Sequence, residues 1–386
     1  MPPVVPFCLS IVVIGASGDL AKKKTYPALL SLYAQNLLPS NVTLVGLART
    51  EMTDASFRSS LKPYLLSSLP LVSVSSVDSF LSLCSYLPAP SYTSAPSYLL
   101  LSSRLRSFES SVLPPLPLHR LFYFAVPSSV FAPAAMAVKS AGLDTSRSDD
   151  SQGWTRLVLE KPLGRDLPSA RELNGCLRAL FEERQLYRID HYLGKRLVRA
   201  ILPLRFAGPS FLPPLWSNRH ISSVTIVQKE PFGVSGRLSY FSEYGIVRDV
   251  IQNHLLQMLS LLAMERPGGG ADAARDAKVE LLSSVLPPSP LDVLLGQYSS
   301  YGSSVEGGVP SCASSVVGSN APNAPPPTSL PRTPQCAASC PTAVGLACPS
   351  SSSPGRGSTS ACARRPSSSR GGEEQTAAWR GGTSRN

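Results

Sequence analysis

Beyond residue 299 the 386-residue sequence has no phenylalanine, histidine or lysine, and only one tyrosine and one tryptophan. Ser, Pro, Gly, Ala and Arg dominate there. Such text is too poor in large apolar groups to offset the entropy of ordering, so residues 299–386 read as a disordered tail. Five of the eight cysteines lie in that tail, whereas the last of the four histidines is His254. Zinc-type Cys/His pairing is therefore missing, and no metal is expected. The body keeps Cys8, Cys84 and Cys176, few enough to suit reduced thiols. No apolar run is long enough to cross a bilayer, and residues 4–14 run straight into a glycine loop instead of a cleavage site. A cytoplasmic location with no membrane partner follows as an expectation. The net charge of +11 carries no aromatic interleaving, so nucleic acid is not an expected partner.

The most informative stretch is 187–195, where Tyr187, Arg188, Asp190, His191, Tyr192 and Lys195 crowd into nine residues. Burying an acid, a histidine and two cations together is costly unless they bind an anion or move a proton. Near the start, residues 9–14 form a continuous apolar run of strand length, as a central parallel strand requires. Gly15, Ala16, Ser17, Gly18, Asp19, Leu20 and Ala21 follow, then three lysines and an apolar helical pattern through Leu38. Gly15 and Gly18 allow a sharp turn and close approach to a pyrophosphate, which the helix start faces with free N–H groups. A second strand over 42–48 ends at Arg49, where an NAD site would place an acid. The planar guanidinium suits a 2′-phosphate instead, so NADP is the expected cofactor. Further buried strands are predicted over 121–127 and 157–164, the latter running into Lys161–Pro162. Residues 59–118, rich in Ser, Leu and Pro, give no clear pattern.

Five motifs in order resemble glucose-6-phosphate dehydrogenase: residues 15–21, 160–164, 187–195, 229–233 and 248–254. The resemblance covers 9–50 and 120–298. It implies an α/β fold: a Rossmann-like doubly wound NADP domain over 1–163, then an incomplete α+β substrate domain over 164–298, and the tail over 299–386. It also implies roles for residues. His254 becomes the general base, paired with Asp190, removing the anomeric hydroxyl proton of D-glucose 6-phosphate. His191, Tyr192 and Lys195 match phosphate-binding positions, and Glu230 and Asp249 match positions that hold sugar hydroxyls. Lys161 lies between sugar and nicotinamide. Gly15 belongs to the dinucleotide loop, and Ser17, Gly18, Asp19, Leu20, Arg49 and Tyr123 match cofactor contacts. A cis Lys161–Pro162 bond is implied as well. The residues agree on their own terms: a phosphate dianion needs the cations of 187–195, and a base working near neutral pH suits histidine. Residues 246–262 carry apolar side chains at helical spacing, which puts His254 on or near a helix packed into a core.

After Tyr298 the motifs stop. Read in a shifted frame with permitted codons, residues 343–362 can give RWAGVPFILKSGKGLDERV, the kind of text the family shows next. The family is homo-oligomeric, and the strands that build its interface are the ones this chain replaces by the tail, which argues against that assembly here. The missing stretch also carries cations for sugar phosphate and coenzyme, and a strand over 220–229 would lack neighbours. A truncated, catalytically impaired NADP-binding remnant is thus the alternative to a working enzyme, and the chain as written is expected to aggregate.

Overall fold

A computed structural model describes residues 6–146, 151, 153–208, 212–228, 244–270, 272–288 and the pair 379–380. The chain divides into two compact units, Met1–Ile189 and Asp190–Asn386. The boundary expected at 163, in the turn that follows Lys161–Pro162, thus lies inside the first unit, because the chain beyond it adds a further helix and an edge strand to that unit's sheet.

The first unit is built on six parallel strands: β1 (Cys8–Ile14), β2 (Asn41–Ala48), β3 (Cys84–Pro88), β4 (Leu118–Phe124), β5 (Gly153–Leu159) and β6 (Leu186–Arg188). Their order is β3-β2-β1-β4-β5-β6. That reversal between β1 and β4 is the doubly wound dinucleotide arrangement. Every residue of β1 is buried, as its unbroken apolar run requires of a strand covered on both faces.

Helices α1 (Tyr26–Ala34), α2 (Asp54–Ser68) and α3 (Val74–Ser82) cover one face, where Tyr26, Leu30, Phe57, Leu61 and Phe80 pack on Ile11, Val13 and Leu44. On the other, α4 (Ala95–Ser111), α5 (Phe131–Ser140) and α6 (Leu167–Leu180) place Tyr98, Leu101, Phe131 and Leu177 against Val12, Phe122 and Leu157. The expected helix through Leu38 stops at Ala34, because Asn36 takes a left-handed φ of 54° that closes the helix end. Thr53 and Ser56 form a reciprocal cap that starts α2, and in the unread stretch Ser73 caps α3. Among the described residues of this unit, Arg120 of β4 and Glu109 of α4 form a buried ion pair at 2.6 Å, each side chain 3% exposed. Ser10 also donates to that carboxylate, and Arg120 to the carbonyl of Leu143, so the charges are well satisfied.

Among its described residues the second unit is mainly helical, with α7 (Arg196–Phe206), a short helical turn at Leu212–Leu215, α8 (Val247–Leu255 continued by Leu256–Ala263) and α9 (Ala273–Ser284). Helix α8 is one continuous element, π-wound over Val247–Leu255 and α-helical over Leu256–Ala263. Val250, Leu255 and Leu259 form its core with Ile226, and Ile246, Ile251, Met258 and Leu262 pack around them, the set expected from the spacing. Of the strand expected over 220–229, only β7 (Ser223–Val224) is paired in the described part, antiparallel to β8 (Trp379–Arg380). The rest of the expected disordered tail lies outside the described residues. Among the described residues, no helix is long and apolar enough to cross a membrane.

Candidate functional site

In the first unit the candidate cofactor residues gather at the carboxyl ends of β1, β2, β4 and β5. Gly15 leaves β1 with φ +88°, and its N–H donates to the carbonyl of Leu47 at 2.7 Å. A Cβ there would lie 2.3 Å from the carbonyl oxygen of Ala125, so only glycine lets the chain pass between the ends of β2 and β4. The N–H of Gly18 donates back to Gly15 and closes the loop, which a π turn over Ala21–Thr25 carries into α1. Helix starts leave their first N–H groups without intrahelical acceptors, and such groups suit a pyrophosphate.

The neighbouring residues tie this loop to the next strand. Ser17 shares a hydrogen bond with Thr50 at 3.1 Å, just past the end of β2. Leu20 is exposed, and Asp19 accepts from Lys23 at 2.8 Å, a bond that holds its carboxyl below the usual range. Arg49 is exposed, its guanidinium 5.6 Å over the ring of Tyr92. Tyr123, on β4, donates its hydroxyl to the Glu160 carboxylate at the end of β5. Burial, then that bond to an anion, push the phenol up and keep it protonated. Lys161 follows directly, and the Lys161–Pro162 bond is cis, as the resemblance implies.

The second unit contains the other cluster. Asp190 caps the 3₁₀ turn His191–Gly194, its Oδ1 accepting from the Tyr192 N–H at 2.9 Å. The same oxygen accepts from Nδ1 of His254 at 2.6 Å, across 64 residues of sequence. His254 is only 3% exposed. The Tyr192 ring stacks on its imidazole at 3.9 Å, and the His191 ring meets it edge-on at 4.7 Å. The Lys195 ammonium stands 3.4 Å from the centroid of Tyr192. Burial raises the Asp190 carboxyl, but the His254 hydrogen bond, the Tyr192 N–H and the electrostatic influence of the His254 and His191 rings outweigh it and hold it below its ordinary value. An ionised Asp190 fixes the proton on Nδ1 of His254 and leaves Nε2 as the basic nitrogen.

The π winding bears on this geometry. Its hydrogen bonds run i→i+5, so Asp249 lies about one turn before His254, where an α wind would set Val250. Asn253 supports the wider turn by donating to the carbonyls of Arg248 and Asp249. At the far end of α8, Arg205 donates to the carbonyls of Leu261 and Met264, and Trp216 to that of Leu262. These bonds satisfy the carbonyls that a helix terminus leaves open. Sequence reasoning found neither the winding nor Arg205, nor the Glu160–Tyr123 bond. Only a charged Glu160 before a Lys-Pro pair hinted at the last.

Thus Asp190, His191, Tyr192, Lys195 and His254 are brought together, and Asp249 lies half-buried on the same helix as His254. Glu230 lies outside the described residues. Asp190, His191 and His254 also offer ligand atoms within 4.8 Å of one another, a donor set that a metal could use. The ammonium group of Lys195 beside them and the existing Asp190–His254 hydrogen bond suit an anionic ligand better than a cation.

Comparison with known proteins bears on both units. Residues 12–200 match the family profile described as glucose-6-phosphate dehydrogenase, NAD binding domain, and 202–312 match its C-terminal domain. Cytoplasmic glucose-6-phosphate 1-dehydrogenase 6 of Arabidopsis thaliana is 46% identical over 296 residues, 76% of this chain and 57% of that protein. The cytoplasmic isoform of Solanum tuberosum is 48% identical over the same shares. A solved structure of glucose-6-phosphate dehydrogenase in complex with its substrate glucose-6-phosphate superposes with a TM-score of 0.69 at 40% identity, covering 81% of this chain and 63% of that one. The chain therefore spans less than two thirds of these relatives' length.

Proposed function

The chain belongs to the glucose-6-phosphate dehydrogenase family, whose profiles match it over 12–200 and 202–312, and from that premise we propose that it oxidises D-glucose 6-phosphate to 6-phospho-D-glucono-1,5-lactone with NADP. The 2.6 Å bond between Asp190 and His254 is the observation that carries this reading. His254 takes the proton of the anomeric hydroxyl on Nε2, and the O–H electron pair becomes the second C–O bond of the lactone as hydride departs from the same carbon. Asp190 holds the imidazole in the accepting tautomer and balances the charge it gains. His191, Tyr192 and Lys195 offer donors and positive charge to the phosphate, and Asp249 and Glu230 bind sugar hydroxyls.

The residues of the first unit fit a nicotinamide dinucleotide: a glycine loop whose close packing excludes side chains, a helix start, and the strand-order reversal beside it. Gly15, Ser17, Gly18, Asp19 and Leu20 would hold the pyrophosphate, and Arg49 a 2′-phosphate, which favours NADP over NAD. Tyr123 and Lys161 would line the nicotinamide end. When bound, NADP supplies the acceptor for the hydride. The names of the plant relatives, both cytoplasmic forms, support a cytoplasmic location.

A second reading, a dinucleotide-binding remnant with impaired turnover, is favoured by the Ser-, Pro-, Gly- and Arg-rich text of 299–386, where the motifs of the family stop. One experiment separates the two. NADP is titrated against tryptophan fluorescence, and absorbance at 340 nm is followed with glucose 6-phosphate and NADP. Substrate-dependent NADPH that disappears in His254→Asn supports the enzyme, quenching without NADPH supports the remnant, and neither signal refutes both.

A further inference from the structure

We propose that Tyr86 is a positioning residue for Arg49. Its hydroxyl fixes the backbone on both sides of that arginine, so that the guanidinium is presented to a 2′-phosphate and NADP is preferred over NAD. The inference rests on reading Arg49 as the residue that meets the 2′-phosphate, and it concerns a residue outside every motif that carries the resemblance.

Arg49 follows the last residue of β2 and is exposed, and a long exposed side chain is aimed only as well as its backbone is held. The hold comes from Tyr86. This residue lies on β3, the edge strand beside β2, and is only 2% exposed. Its ring packs against that of Phe57, with centroids 4.8 Å apart. Its hydroxyl donates to the carbonyl of Thr50 at 2.6 Å and, sharing the same proton, to that of Ala48 at 3.3 Å. Those two carbonyls belong to the residues on either side of Arg49. The clamp is itself fixed. An edge strand leaves backbone groups unpaired on its outer side, and here side chains take them. The Tyr86 N–H donates to the Asp54 carboxylate of α2 at 2.6 Å, and Arg104 of α4 donates to the Tyr86 carbonyl at 2.9 Å. Thr50 extends the arrangement to the glycine loop through its 3.1 Å hydrogen bond with Ser17. Arg49 is thus anchored to β3 and to the loop after β1 by the residues that flank it, and one phenol oxygen holds both flanks.

A loosened Arg49 should weaken NADP and spare NAD, because the two differ only by the 2′-phosphate. The test is isothermal titration calorimetry of the intact chain with each dinucleotide. Tyr86→Phe removes one oxygen and keeps the ring on Phe57. The Ala48 carbonyl still accepts from the Ala89 N–H at 2.9 Å, and Thr50 is exposed to water, so the variant should fold. Circular-dichroism melts check that it does. Tyr86→Phe is expected to weaken NADP by about three- to tenfold, the effect of one lost hydrogen bond, and NAD by less than about twofold. In an Arg49→Ala background the same change is expected to leave NADP binding where Arg49→Ala alone puts it. An unchanged ratio of the two affinities in Tyr86→Phe, or an equal weakening of both, would overturn the proposal. A parent that prefers neither dinucleotide, or whose preference survives Arg49→Ala, would refute the reading of Arg49 and the proposal with it. The readout needs no turnover, so its failure is distinct from a failure to oxidise sugar phosphate.

Discussion

Gly15 and Gly18 sit three residues apart in one loop, yet substituting them should produce opposite phenotypes. At Gly15 an alanine meets two penalties. Its φ of +88° is a left-handed backbone, which costs an L-residue about 1–2 kcal/mol. Its Cβ would also fall 2.3 Å from the Ala125 oxygen, 2.7 Å from Val126 Cγ1 and 2.9 Å from the Ala125 carbon. Two of these are backbone atoms at the end of β4, so the strand itself must shift, at about 1–3 kcal/mol. The sum, about 2–5 kcal/mol, is a large part of the roughly 5–15 kcal/mol that holds a domain together. At Gly18 no positive φ intervenes, and the one contact is 3.2 Å from the Gly15 oxygen. Gly18→Ala should therefore cost less than about 1 kcal/mol. It nevertheless puts a methyl group where the backbone must approach the pyrophosphate. Urea unfolding followed by circular dichroism, with NADP titration by tryptophan quenching, measures both. Gly15→Ala should lower the midpoint by roughly 1–2 M. Gly18→Ala should leave it nearly unchanged while weakening NADP by about tenfold or more. Equal midpoints for Gly15→Ala and the parent, or a Gly18→Ala variant destabilised as much as Gly15→Ala, would refute the assignment of one glycine to packing and the other to ligand approach.

Two further outcomes follow from buried charge. Glu109→Ala leaves the Arg120 guanidinium unpaired, at 3% exposure, and should cost about 3–5 kcal/mol in urea unfolding. The double replacement Glu109→Leu with Arg120→Met should recover most of that loss, and a single variant no less stable than the double would contradict it. Asp190 is a carboxyl whose value in the folded chain is depressed below 3.8. Its stabilising contribution is therefore present above that ordinary value and is lost as pH falls through the folded one. The melting-temperature gap between the parent and Asp190→Asn should be full above about pH 5 and narrow progressively as pH falls below about 4. A gap that stays constant would show that the carboxylate does not stabilise the fold.

What could be read from the sequence follows its physics. A strand buried on both faces is written as an unbroken apolar run, so β1 and β2 were legible almost to the residue. The glycine loop was legible because only Gly15 fits its position. The motif at 187–195 announced a site because so many ionisable groups rarely share a turn without a ligand or a proton to handle. By contrast, β3 and its flanking helices were hidden in Ser-, Leu- and Pro-rich text. Pro63 inside α2 and Pro88 at the end of β3 blur the periodicity, and the fold is set instead by caps at Thr53 and Ser73 and by burial of Phe57, Leu61 and Phe80. The π winding around His254 left no trace in composition, because it is a choice of hydrogen-bond partner and not of residue type. The packing of α9 against α7 and the end of α8 was equally silent, because no local pattern encodes it.

The tautomer of His254 is the most direct quantity to measure, by ¹⁵N–¹H correlation of the imidazole in the intact chain with Asp190→Asn as the comparison. An imidazole held by the Asp190 carboxylate carries its proton on Nδ1, with that proton strongly deshielded, and loses the preference in the variant. An imidazole protonated on Nε2, or a free mixture of both forms that Asp190→Asn leaves unchanged, would contradict the account.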